Sequence, residues 1–158
     1  MKISDIRAIP LSYRCEPPYG SARVADALAT PIAGYETEFG LYGFRELITR
    51  GAVDIVQPDI AWTGGFSEGR RIAALAQAHH LMVAPHAFGG AVLLAASLHF
   101  AAAIPNALML EFDQNPNGLR DELLKEPIRA DADGMIRLPE RPGLGVELDP
   151  SAVGRYRV

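Results

Sequence analysis

The chain has 158 residues, 49% of them hydrophobic and 22% charged, the balance of one folded globular domain and not of a disordered chain. Fifteen basic against nineteen acidic residues leave a formal charge of -4 and a pI near 5.5, so the basic footprint that nucleic acid requires is missing. A single cysteine, Cys15, and the lack of zinc-type Cys/His spacing, of a signal-peptide order and of a membrane-length apolar run point to a cytoplasmic protein that is neither secreted nor membrane-spanning.

Over residues 1–23, Ile3, Ile6 and Ala8 alternate with Ser4, Asp5 and Arg7, then Pro17-Pro18-Tyr19-Gly20-Ser21 forms a turn-rich loop. That reads as a lone strand, which needs a pairing partner. A short helical piece after Val24 leads to an apolar strand over 31–34 and a helix over 41–50 stopped by Gly51. The next unit is a strand over 53–58, then a helix with Ser67 as N-cap and Ile72, Leu75 and Ala76 at helical spacing. An apolar strand over 81–84, an apolar helix over 90–103 and a strand over 107–110 complete the order βαβαβαβ. Strands apolar on both faces and separated by helices imply a parallel sheet. From Gln114 onward the chain is rich in Pro, Gly and Asp, with a short strand pair predicted at 135–138.

An ionisable group stands at the end of each of these four strands: Glu36, Asp59, His86 and Glu111, at intervals of 23, 27 and 25 residues. One βα unit per interval brings all four to the carboxyl edge of a parallel sheet, where α/β folds build their sites. An acidic residue in such a loop is often only a helix cap, and one histidine only a satisfied core group. Four in register favour a site. With sequential strands, Asp59 can accept a proton from one imidazole nitrogen of His86 and aim the other at substrate, making an acid/base dyad. Glu36 is a hard oxygen donor suited to Mg²⁺, which needs two or more further carboxylates, and Glu111 can donate a hydrogen bond to a developing oxyanion if kept protonated. Trp62 either lines a pocket or packs, while His79, His80 and His99 read as structural.

Val53-Asp54-Ile55-Val56-Gln57-Pro58-Asp59, Gly64-Gly65, Ala84-Pro85-His86 and Leu110-Glu111-Phe112-Asp113, in that order, resemble the carboxyl half of the enolase superfamily barrel. The likeness is to its mandelate racemase-like branch and there to the acid-sugar (galactonate-type) dehydratases. Pro31-Ile32-Ala33-Gly34-Tyr35-Glu36 looks like the strand ending in the third magnesium ligand, with Tyr35 in place of the usual glycine. Pro142-Gly143-Leu144-Gly145-Val146 resembles the family C-terminus, and the first thirteen residues with Tyr19-Gly20-Ser21 resemble a capping-domain strand and a substrate-covering loop.

The resemblance implies Glu36 as a metal ligand for Mg²⁺, His86 as acid/base, Asp59 as its partner, Glu111 as hydrogen-bond donor to an enediolate, and Tyr19 of the covering loop as a substrate contact; Trp62, by its place after a strand, is the other candidate substrate contact. An Asp at position 59, where the muconate lactonizing branch has a lysine, favours dehydratase or racemase chemistry. The expected architecture is α/β, half of a TIM-type barrel: a capping remnant over 1–23, a partial barrel over 24–113 and a C-terminal segment over 114–158. An open doubly wound sheet is the alternative fold, without a G-x-G-x-x-G loop to support it. A closed barrel needs about 250 residues. The only lysines are Lys2 and Lys125, and no acidic pair remains to complete a site around Glu36, so the chain reads as internally truncated, keeping its dyad and losing its electrophile. The expected function is dehydration of a small sugar acid, impaired in this chain. An inactive or interaction remnant and a racemase of a 2-hydroxy acid are the alternatives, and two open sheet edges suggest a homo-oligomer.

Overall fold

The computed structural model describes residues 29–157, so the predicted strand over 1–23 and the boundary at 23/24 lie outside the described residues. The elements are β1 (Ala33–Gly34), α1 (Gly40–Thr49), β2 (Ile55–Val56), α2 (Phe66–Ala78), β3 (Met82–Val83), α3 (Ala91–Ala102), α4 (Gly118–Asp121) and α5 (Pro150–Tyr156). The sheet is parallel in the order β1-β2-β3, with Gly34 opposite Val56 and Val56 opposite Val83. No strand order reverses among the described residues, which fits half of a barrel and not a doubly wound sheet.

The strands are shorter than the apolar runs predict, for reasons that lie in particular residues. Asp54 Oδ2 takes the amide of Ile32 at 2.8 Å, while the amides of Asp54 and Ile55 both turn to Ile32 O, so a side chain opens the β1–β2 ladder. Pro58 and Pro85 carry no N–H and interrupt the ladders beyond Val56 and Val83. Pairing resumes one step later: His86 N donates to Pro58 O at 3.1 Å and Asp59 bridges His86. The fourth strand is reduced to a parallel bridge of Ala107 with Val83, followed by Glu111 N to Pro85 O at 3.3 Å. Glu111 thereby stays beside the third strand.

Val56 and Val83 turn into one core with Phe44, Leu47 and Ile48 of α1, Ile72, Ala73 and Ala76 of α2, and Phe100 of α3. On alternate positions Met82 and Leu108 remain 37% and 43% exposed, so the helices cover one face of the sheet. Helix α2 presses closely on that core, because a Cβ at Gly69 would stand 2.7 Å from Ile60 Cδ1 and 3.2 Å from Phe100 Cε2. Helix α3 is apolar on nearly every side, and its buried Ser97 donates to the carbonyl of His86 at 3.4 Å.

Two local expectations need correction. Ser67 is not the N-cap of α2: Gly65 is, with φ values of 104° at Gly64 and 86° at Gly65 bringing the chain into the helix two residues earlier. The segment 135–138 forms no strand; the antiparallel pairing of the tail joins Leu124 to Leu148, and Asp131 and Met135 close a turn. The stop at Gly51 holds. Its amide bonds Ile48 O and that of Ala52 bonds Leu47 O, the paired C-terminal bonds of a left-handed helix cap. Helix α2 ends in the same motif with His80 at φ 61° in the glycine's place.

Candidate functional site

Asp59 ends the second strand segment and is 1% exposed, a burial that requires its charge to be met by donors. It divides its two oxygens between two tasks. Oδ1 accepts the amides of Ala61 at 2.7 Å and Trp62 at 3.3 Å, capping the single turn that follows the strand. Oδ2 lies 2.8 Å from His86 Nδ1. The capping role and the dyad role therefore coexist on one carboxylate.

His86 is fixed from both ends, its backbone held to Pro58 and its ring to Asp59, with its side chain 19% exposed. A carboxylate can only accept, so Nδ1 donates its proton to Asp59 and Nε2 is the ring nitrogen left for other partners. Glu111 reaches the same nitrogen from the next strand: its Oε2 lies 3.8 Å from Nε2 and accepts the amide of Ala87 at 3.2 Å. Phe88 stands with its ring centre 6.4 Å from that of His86 and is 59% exposed, an apolar wall beside the polar pair.

Glu36 follows β1 at the same sheet edge, but among the described residues no hydrogen bond or ion pair joins it to the other three groups. Tyr35 before it adopts φ 69°, the conformation that glycine takes freely, so the departure from the expected glycine is carried as local backbone strain. Among the described residues no three His, Cys, Asp or Glu side chains are grouped to hold a metal ion, so the donors present do not fit the oxygen cage of Mg²⁺. Trp62 is 49% exposed and tilts against Phe39 with ring centres 5.5 Å apart, at the turn that Asp59 caps. Tyr19 lies outside the described residues. His99 Nε2 meets Leu144 O at 3.0 Å and ties α3 to the tail, a structural bond as expected.

Sequence reasoning missed Asn117 and Arg120. Arg120 is a buried guanidinium bonded to the main chain of Asp113, to Asp113 Oδ2 at 3.2 Å, to Asn115 O at 2.9 Å and to Asp121, which holds its protonated form above the ordinary arginine range. The only sequence signal was the Asn-Gly start of a short helix.

Among the described residues, no helix is long and apolar enough to cross a membrane. The sequence model of the enolase C-terminal domain-like family matches residues 11–152. The D-galactarolactone cycloisomerase of Agrobacterium fabrum is 40% identical over 145 residues, 87% of this chain and 38% of its own length. The arabinonate dehydratase of Saccharolobus solfataricus is 41% identical over 137 residues, 87% of this chain and 36% of its own. The crystal structure of a mandelate racemase/muconate lactonizing enzyme from Sulfitobacter superposes with a TM-score of 0.76 at 38% identity, covering 84% of this chain and 33% of that one. The chain thus spans only about a third of each of these relatives. On the match of that family model to most of its length, the chain belongs to the enolase C-terminal domain-like family.

Proposed function

We propose that this chain carries the acid/base half of a sugar-acid dehydratase, with His86 Nε2 as the proton-transferring atom. The observation that carries the reading is the 2.8 Å bond from His86 Nδ1 to the buried Asp59, which sets the tautomer. In the reaction, Nε2 takes the proton α to the substrate carboxylate, and an imidazolium returns a proton to the β-hydroxyl, which leaves as water; the enol left behind becomes a 2-keto-3-deoxy acid. Glu111 is the proposed hydrogen-bond donor to the enediolate oxygen. The arabinonate dehydratase among the relatives supports water loss over racemisation. Trp62 and Tyr19 are the proposed substrate contacts.

Enzymes of this superfamily generally use Mg²⁺, and Glu36 is the proposed ligand. Among the described residues, its surroundings do not complete a cage. A lone carboxylate binds magnesium weakly, so turnover by this chain alone is expected to be impaired. The same donor set favours a second reading, a remnant that keeps the dyad without turning over. Exposed Met82 and Leu108 on the uncovered sheet face support assembly into a homo-oligomer, which light scattering would detect.

The test is the purified chain with a panel of sugar acids and Mg²⁺, assayed for 2-keto-3-deoxy acid. Product that disappears in His86→Ala supports the dehydratase reading. Epimerised substrate without water loss supports the racemase. No change in any substrate, with no magnesium-dependent rise in melting temperature, supports the remnant.

A further inference from the structure

The contact between Glu111 and His86 is made by two loops, each of which is held from the other side by the short helix α4. Asn117 caps α4, its Oδ1 accepting the amides of Leu119 at 3.1 Å and Arg120 at 3.3 Å. Its Nδ2 is then free to reach out of the helix, and it donates to Gly89 O at 3.1 Å, in the loop that follows His86. That loop lies so close to α4 that a Cβ at Gly90 would stand 3.5 Å from both the side chain and the carbonyl of Leu119. Three residues on, the fork of Arg120 holds the loop after Glu111 through Asp113 and Asn115, with its guanidinium carbon 5.8 Å from the Phe112 ring centre.

We propose that Asn117 and Arg120 are positioning residues that clamp the two strand-end loops together and so set Glu111 against Ala87 and His86 Nε2. One end of the clamp holds Gly89 and the other holds Asp113 and Asn115, and between them the Glu111 carboxylate accepts the Ala87 amide and lies 3.8 Å from His86 Nε2. A planar guanidinium serves this purpose where an ammonium does not, because it bonds several carbonyls in fixed directions. The role as positioning of an acid/base site rests on the reading of His86 and Glu111 given above.

The test is hydrogen exchange at the Ala87 amide of the full chain, followed residue by residue by NMR. Asn117→Asp keeps the shape and the capping oxygen, loses the donor to Gly89 and adds a charge, while Asn117→Ser keeps a capping oxygen and loses that donor without the charge. Arg120→Lys keeps the charge and loses the fork. Glu111→Ala is the reference that removes the acceptor itself. Exchange at Ala87 is expected to rise about tenfold in Glu111→Ala and severalfold in the Asn117 and Arg120 variants, with the Val56 and Val83 amides unchanged. Neither Asn117→Asp nor Arg120→Lys should add to the effect of Glu111→Ala in the double variant. Ala87 exchange unaltered in the Asn117 and Arg120 variants, while Glu111→Ala speeds it, overturns the clamp and leaves the site reading intact. Exchange unaltered in Glu111→Ala removes the Glu111 anchor, and the clamp falls with it. Exchange that rises equally at Val56 and Val83 marks general loosening and also overturns it.

Discussion

Replacing Asp59 separates the two duties of its carboxylate. In Asp59→Ala the cap on Ala61 and Trp62 disappears, which costs about 1 kcal/mol, and the His86 Nδ1–H loses a charged acceptor, which costs about 2 kcal/mol. A total near 3 kcal/mol is expected in urea unfolding, well above the roughly 0.5 kcal/mol of an ordinary surface change. Asp59→Asn keeps a capping oxygen and should cost only about 1 kcal/mol. Its amide faces Nδ1 as a donor, so the imidazole must accept there and carry its proton on Nε2, the reverse of the wild-type tautomer. Nitrogen-15 NMR of the histidine ring distinguishes the two states directly. Any proton transfer at Nε2 should fall by about a hundredfold or more in Asp59→Asn. An unchanged tautomer in Asp59→Asn, or an Asp59→Ala variant as stable as the parent, would refute the reasoning.

Three further substitutions test the scaffold under the site. His80→Gly should stabilise the chain by about 1 kcal/mol, because φ 61° in the α2 cap costs a histidine what it does not cost glycine, and Gly51→Ala should destabilise by a similar amount at the matching cap of α1. Glu68 of α2 accepts the amide of Leu41 at 2.8 Å near the start of α1 and pairs with Arg71, bonds that hold its carboxyl below the usual range. Glu68→Gln should therefore be less stable than the parent at pH 7, the gap persisting above the unfolded carboxyl value of about 4.3 and closing as pH falls through the lower folded value; melting curves across pH check it. Gly69→Ala should destabilise by about 1–3 kcal/mol through its contact with Ile60 Cδ1, and Ile60→Val, which lacks that atom, should recover part of the loss in the double variant.

Much of this arrangement was legible in the sequence because parallel βα units force periodicity. Glu36, Asp59, His86 and Glu111 recur at one unit each, and all four follow strands at one edge, with Asp59 and Glu111 each within reach of a different nitrogen of His86. The helix over 41–50 was readable with its stop at Gly51. What escaped depends on contacts remote in the chain. Asn117 finds Gly89 across 28 positions, and nothing local marks Arg120 as buried. The premature entry into α2 came from two glycines in left-handed conformations, which displaced the capping preference of Ser67. Proline was legible as a residue but its effect was not: Pro58 ends the strand read over 53–58 and Pro85 follows the one read over 81–84, and each interrupts the ladder by withholding one amide before pairing resumes at Asp59 and His86.

The central claim, that His86 Nε2 moves the proton α to a carboxylate, is tested most directly by isotope exchange. The full chain is incubated in D₂O with sugar acids and Mg²⁺, and deuterium at the α-carbon is followed by NMR, which registers proton abstraction even where water loss does not follow. Slow exchange at the α-carbon, abolished in His86→Asn, is the expected result. Exchange that continues undiminished in His86→Asn would contradict it.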